Sequence, residues 1–282
     1  MKNILLPTDF SDNALNAIRY AVQLYQGQQV TFYLLNTFTP ASYHMSYLIE
    51  NPMPYGMEDV ALMNSKRQLE ETEETIKKEF DCSTFTFIRL TAFNILVDEI
   101  RHVVATYTID LIIMGTKGAT GAKEIFIGTH TMFTIKKTNC PVLAVPNDYK
   151  YEDPKDILFP TDYEFSEENT GLSLIRDICA LHNSKLNILN AYYGIPLNEQ
   201  QIAAKNYLDT YLQDTAHLFH LADGMDVLEA VEDFQKKYKI NLLVMIRYEH
   251  SFLENLFFKP VIKDVVFHTN IPFLVLPSIE TK

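Results

Sequence analysis

Short apolar runs alternate with helical stripes along this chain. Ile4-Leu5-Leu6, Tyr33-Leu34-Leu35, Leu111-Ile112-Ile113-Met114 and Val142-Leu143-Ala144-Val145 have the length and composition of buried strands. With the stretch around Phe85 to Leu90 they predict strands near 2–7, 29–36, 84–90, 110–115 and 141–145. Between them the apolar period lengthens. Ala14, Ile18, Ala21, Val22 and Tyr25 share one helix face, and helices are predicted near 12–25, 57–80, 93–106 and 129–138. The charged run from Glu70 to Glu79 reads as the solvated surface of the second helix. Strands that alternate with helices predict an α/β fold, a parallel sheet covered on both faces.

The pattern occurs twice. Asn3-Ile4-Leu5-Leu6-Pro7-Thr8-Asp9-Phe10 returns as Asp156-Ile157-Leu158-Phe159-Pro160-Thr161-Asp162-Tyr163. Ile109-Asp110-Leu111-Ile112-Ile113-Met114 returns as Ile240-Asn241-Leu242-Leu243-Val244-Met245, and Cys140-Pro141-Val142-Leu143 as Ile271-Pro272-Phe273-Leu274. Two divergent copies of one domain account for this, at 1–147 and 154–282, joined by a polar linker that ends in Pro154. Spacing locates their difference. Met114 to Pro141 and Met245 to Pro272 both span 27 residues, whereas Asn36 to Met114 spans 78 and Asn190 to Met245 only 55. The first copy therefore carries an excursion around Pro40 to Gly56. Its Tyr43, His44, Met45, Tyr47 and Met53 fit a crevice cover, an interface or a plain surface loop equally well.

Charge and cysteine content narrow the function classes. Residues 1–147 hold 12 basic and 15 acidic side chains, and residues 148–282 hold 12 and 21, so neither copy offers a basic face for a nucleic-acid backbone. Three cysteines without paired spacing argue against a disulfide framework. The first apolar run is too short for a signal peptide and no later run approaches a membrane span, so the expected location is cytoplasmic, with no membrane partner. His217 and His220 fall in a predicted strand, where residues three apart face opposite sides. They are expected to be structural, and no metal site is expected.

The candidate chemistry lies between the fourth strand and the helix after it. Four of the nine glycines fall between Gly115 and Gly128, in Met114-Gly115-x2-Gly118-x9-Gly128-Thr129-His130-Thr131. Glycine permits close backbone approach to a ligand, and a helix N-terminus supplies unpaired N–H groups that suit phosphate. Thr8-Asp9 lies past the first strand, at the same end of the predicted sheet, and reads as a second part of the site or as a helix cap. In the second copy Gly115, Gly118, Gly128, Thr129 and Thr131 align with Ile246, Glu249, Lys259, Pro260 and Ile262. Glu249 repels a polyphosphate, Pro260 has no N–H and Ile262 has no hydroxyl.

Taken together, Pro7-Thr8-Asp9-Phe10-Ser11, the glycine motif and Cys140-Pro141-Val142-Leu143 resemble the universal stress protein (UspA-like) family in its tandem form, over nearly the whole chain. The resemblance implies two tandem five-stranded parallel-sheet domains, Rossmann-like and adenine nucleotide alpha hydrolase-like. It implies ATP, with Mg²⁺, bound in the N-terminal domain. Thr8 and Asp9 would lie by the adenosine, Met114 and Gly115 would line the crevice, and Gly118, Gly128, Thr129, His130 and Thr131 would cradle the phosphates. It further implies pairing of the two copies through their last strands as an intrachain pseudo-dimer, homodimer formation, a protein partner and a stress-response role. No P-loop or nucleophile elbow occurs, and no catalytic residue is assigned. Two alternatives stand beside ATP sensing. One is slow ATP hydrolysis or phosphotransfer, with Glu124 or His130 as acid–base candidates. The other is a nucleotide-independent scaffold or small-ligand carrier that uses a second crevice near Ile246, Tyr248 and Phe252.

Overall fold

A computed structural model describes residues 1–38, 57–116, 128–165, 171–192, 196–247 and 270–277. The excursion from Pro40 to Gly56 lies outside them, as do Gly118, Glu124, Tyr248, Glu249, Phe252, Lys259, Pro260 and Ile262. The chain divides into two compact units, one closing at Cys140 and the other opening at Pro141.

The first unit runs β1 (Lys2–Pro7), α1 (Asp12–Leu24), β2 (Val30–Phe38), α2 (Met57–Glu79), β3 (Phe85–Phe93), α3 (Leu96–Tyr107), β4 (Leu111–Gly115) and α4 (Thr129–Lys137). Its strands lie in the order β3-β2-β1-β4, all parallel. Ile4, Leu5, Leu6, Leu34, Leu35, Leu111 and Ile112 are fully buried, as expected of strands covered on both faces. β2 and β3 extend past their predicted ends because their ladder continues from Asn36↔Thr91 to Phe38↔Phe93, where the two rings meet at 5.7 Å. This extension delays α3 to Leu96. The strand order reverses at β1, so its crevice with β4 opens at the carboxyl ends of both strands, where α/β sheets take ligands.

The second unit contains β5 (Val142–Val145), β6 (Asp156–Pro160), α5 (Gly171–His182), β7 (Lys185–Tyr192), α6 (Glu199–Tyr211), β8 (His217–Asp223), α7 (Val227–Lys237), β9 (Leu242–Arg247) and β10 (Phe273–Pro277). Their order is β5-β10-β9-β6-β7-β8. All pairs are parallel except β5 with β10, which run antiparallel from Phe273↔Ala144 to Val275↔Val142.

His217 and His220 face opposite sides of β8. His217 Nε2 meets Asp209 of α6 at 3.0 Å, while His220 packs edge-on against Phe234 of α7 at 4.9 Å. Among the described residues no helix is long and apolar enough to cross a membrane.

Candidate functional site

Both repeats make the same turn after their first strand. The Thr8 hydroxyl accepts the Phe10 N–H at 3.0 Å, and the Asp9 carboxylate accepts the Ser11 N–H at 3.0 Å. In the second repeat Thr161 accepts from Tyr163 at 2.9 Å and Asp162 from Glu164 at 3.0 Å. These bonds hold Phe10 and Tyr163 at φ 63° and 62°, a left-handed conformation that bulky residues rarely adopt. Neither Thr8 nor Asp9 caps α1. Ser11 is the N-cap, and its hydroxyl accepts the Ala14 N–H at 3.2 Å. Thr8 is buried, and Asp9 is exposed beside it.

β1 delivers this turn to the end of β4. The register pairs Ile4 with Leu111 and Leu5 with Ile112, which carries forward to Thr8 level with Gly115. Gly115 is closely overlain by Asn13 from the first turn of α1. A Cβ at Gly115 would lie 2.2 Å from Asn13 Nδ2 and 2.6 Å from Asn13 Cγ. A side chain larger than hydrogen at this position would require Asn13 to shift.

The N-terminus of α4 is tied to the same strand end. The Gly128 N–H donates to the Thr116 carbonyl, and the Thr131 hydroxyl donates to the Gly115 carbonyl at 2.7 Å. Gly128 is the N-cap and has no side chain to cap the first turn. Within the helix, the Met132 N–H returns to the Gly128 carbonyl at 3.0 Å. Thr129 and His130 are exposed in that first turn, while Thr131 is buried. Next to them, the Thr116 hydroxyl is buried and has no hydrogen-bond partner among the described residues.

Thr8, Asp9, Met114, Gly115, Gly128, Thr129, His130 and Thr131 thus belong to one strand-end region of the first unit. Gly118 lies outside the described residues. The role of Thr131 departs from a simple cradle, because its hydroxyl hydrogen is committed to the Gly115 carbonyl. The motif did not single out Asn13, Thr116, Asn36, Ser65 or Thr91. Asn36 had a signal. It sits near the end of the second strand of its repeat, as Asn190 does, and both close their turn, Asn36 Nδ2 to the Thr8 carbonyl at 2.8 Å and Asn190 Nδ2 to the Thr161 carbonyl at 2.9 Å.

In the second unit, β9 ends in Ile246 and Arg247 where β4 ends in Gly115 and Thr116 follows it. Ile246 is buried, so an apolar side chain stands where the first repeat has a glycine beneath Asn13. Among the described residues no group of three or more histidine, cysteine, aspartate or glutamate side chains could hold a metal ion.

The family model for the universal stress protein family matches residues 1–146. Universal stress protein MJ0577 of Methanocaldococcus jannaschii is 29% identical over 154 residues, 51% of this chain and 94% of that protein. Universal stress protein MJ0531 of the same organism is 28% identical over 156 residues, 53% of this chain and 84% of that protein. A crystal structure of a universal stress protein from Archaeoglobus fulgidus shares the fold over 99% of this chain and 97% of that chain, with a TM-score of 0.68 at 14% identity. The doubly wound sheet, the paired Thr-Asp turns and the match across the first repeat lead to one conclusion: the chain belongs to the universal stress protein family.

Proposed function

We propose that the first repeat binds ATP at the carboxyl ends of β1 and β4, with Mg²⁺ on its phosphates. The chain then acts as a cytoplasmic stress-response regulator, and its second repeat serves as a structural or partner-binding copy. The observation that carries this reading is the buried Thr116 hydroxyl, unpartnered among the described residues, beside the N-terminus of α4, which has no side-chain cap. Buried polar atoms are normally paired, and helix N-termini favour anions, so a phosphate oxygen would answer both needs.

The remaining candidates suit the same ligand. Gly128, Thr129, His130 and Thr131 open the helix on the phosphate side, together with Gly118 from the motif. Thr8 and Asp9 would lie by the adenosine, and Met114 and Gly115 would line the crevice at the end of β4. The exposed Asp9 carboxylate has one oxygen on the Ser11 N–H and offers the other to a ribose hydroxyl or to the metal. The substitutions in the second repeat favour one nucleotide per chain.

Isothermal titration of ATP into the full chain tests the reading. Wild type should bind, and Gly118→Glu should weaken binding at least about tenfold by setting like charge against phosphate. Absence of wild-type binding at millimolar ATP refutes it.

A further inference from the structure

Helix α2 carries a serine where its packing calls for an apolar side chain. Ser65 is in line with Leu69 and Ile76, four and eleven residues on, and all three are buried. A mid-helix serine commonly turns its hydroxyl onto its own helix backbone. Ser65 instead reaches across to the sheet, donating to Asn36 Oδ1 at 2.8 Å and pairing with Thr91 Oγ1 at 2.6 Å. Its single hydrogen serves Asn36, so Thr91 is the donor in the second bond. The chain of bonds then has one direction. It runs from Thr91 to Ser65, to the Asn36 carbonyl oxygen, and from Asn36 Nδ2 to the Thr8 carbonyl. The Thr8 carbonyl can only accept, so it fixes the Asn36 amide with its nitrogen toward the Thr8–Asp9 turn, and the hydroxyl pair holds the amide oxygen on the other side.

The second repeat keeps only half of this device. Asn190 still donates to the Thr161 carbonyl. But the residue opposite Asn190 on β8 is Leu221, 65% exposed, where Thr91 stands opposite Asn36. The buried positions of α6 are Ala204 and Leu208. The turn itself therefore forms without the hydroxyl pair. The pair occurs in the repeat that carries the glycine motif; in the other, Leu221 stands opposite Asn190, and α6 reaches the turn by a different contact, Gln201 Nε2 donating to the Asp162 carbonyl at 3.0 Å.

We propose that Ser65 and Thr91 are positioning residues of the nucleotide site, which hold the Asn36 amide and through it the Thr8–Asp9 turn in register with the adenosine side of the ligand. This rests on the ATP reading above. Among the described residues the two hydroxyls reach the turn through Asn36, so they act on the adenosine half of the ligand and not on its phosphates.

The test is calorimetric titration of ATP, AMP and inorganic tripolyphosphate into wild type, Ser65→Ala, Thr91→Val and Thr91→Ser, all in the full chain. Loss of one neutral hydrogen bond that orients a contact predicts roughly a fivefold loss of affinity. Ser65→Ala and Thr91→Val should show it equally for ATP and AMP, with tripolyphosphate unchanged, and Thr91→Ser should restore it. Should the buried serine substitution prevent folding, Thr91→Val carries the same prediction at a half-buried position. Equal losses for AMP and tripolyphosphate would mean general damage to the unit and overturn the proposal, as would unchanged AMP affinity. Failure of wild type to bind ATP or AMP overturns the nucleotide reading itself and the positioning role with it.

Discussion

Replacing Gly115 with alanine tests the close approach at the end of β4. The added Cβ would lie 2.2 Å from Asn13 Nδ2, 2.6 Å from Cγ and 2.7 Å from Oδ1, against ordinary contacts of 3.4–4 Å. Asn13 cannot simply swing away, since it is 6% exposed and belongs to the first turn of α1. Overpacking of this kind costs about 1–3 kcal/mol. Removing a glycine from a strand returns about 0.5–1 kcal/mol through the unfolded state. The net expectation is a loss of about 0.5–2 kcal/mol in the first unit. Because two units need not unfold together, hydrogen exchange of the peptide covering Leu111–Gly115 is a better measure than one melting temperature. The double variant Asn13→Ala/Gly115→Ala should recover more than half of the loss, a coupling expected only of groups in contact. A single variant within about 0.3 kcal/mol of wild type, or a double variant whose losses simply add, refutes the account.

Two histidines of β8 should pull the pH dependence of the second unit in opposite directions. Burial and the nearby Lys185 lower the pKa of His220 from its ordinary 6.5, and its Nε2 lies 3.1 Å from Asn187 Oδ1. Its stability contribution is therefore present above pH 6.5 and is lost as pH falls toward the folded-state value. For His217, burial opposes the charge, but bonds to Asp209 and the Thr215 carbonyl outweigh it and raise the pKa. Its contribution is full below pH 6.5 and fades as pH rises through the folded-state value. Urea midpoints from pH 5 to 8 should show less acid destabilisation in His220→Gln and less loss toward neutral pH in His217→Gln. The opposite signs would refute the assignment. Native thiol labelling supplies a further check. Burial pushes Cys140 and Cys179 up to about 12, whereas Cys82 is only partly buried, so Cys82 should react first and the other two only on unfolding.

Much of the fold was legible because local signals agreed with it. The predicted helix at 12–25 is α1 at Asp12–Leu24, and the predicted strand at 110–115 is β4 at Leu111–Gly115. Apolar runs of strand length and an unbroken helical stripe allow few alternatives. Errors gathered where the ladder acts. β3 runs to Phe93 because Phe38 continues opposite it, and no property of residues 91–93 alone announces that partner.

The candidate site divides in the same way. Its glycines, its Thr-Asp turns and the loss of the motif in the second repeat are sequence facts, since each depends on residue type at a fixed spacing. That Ser11 and not Asp9 caps α1, that Asn13 occupies the space above Gly115, and that Ser65, Thr91 and Asn36 form one directed chain of bonds were decided by tertiary structure. Spacing along a chain reports which face a side chain takes. Contacts between residues 29 or 102 positions apart depend on how helices settle on the sheet, and that is set by packing of the whole unit.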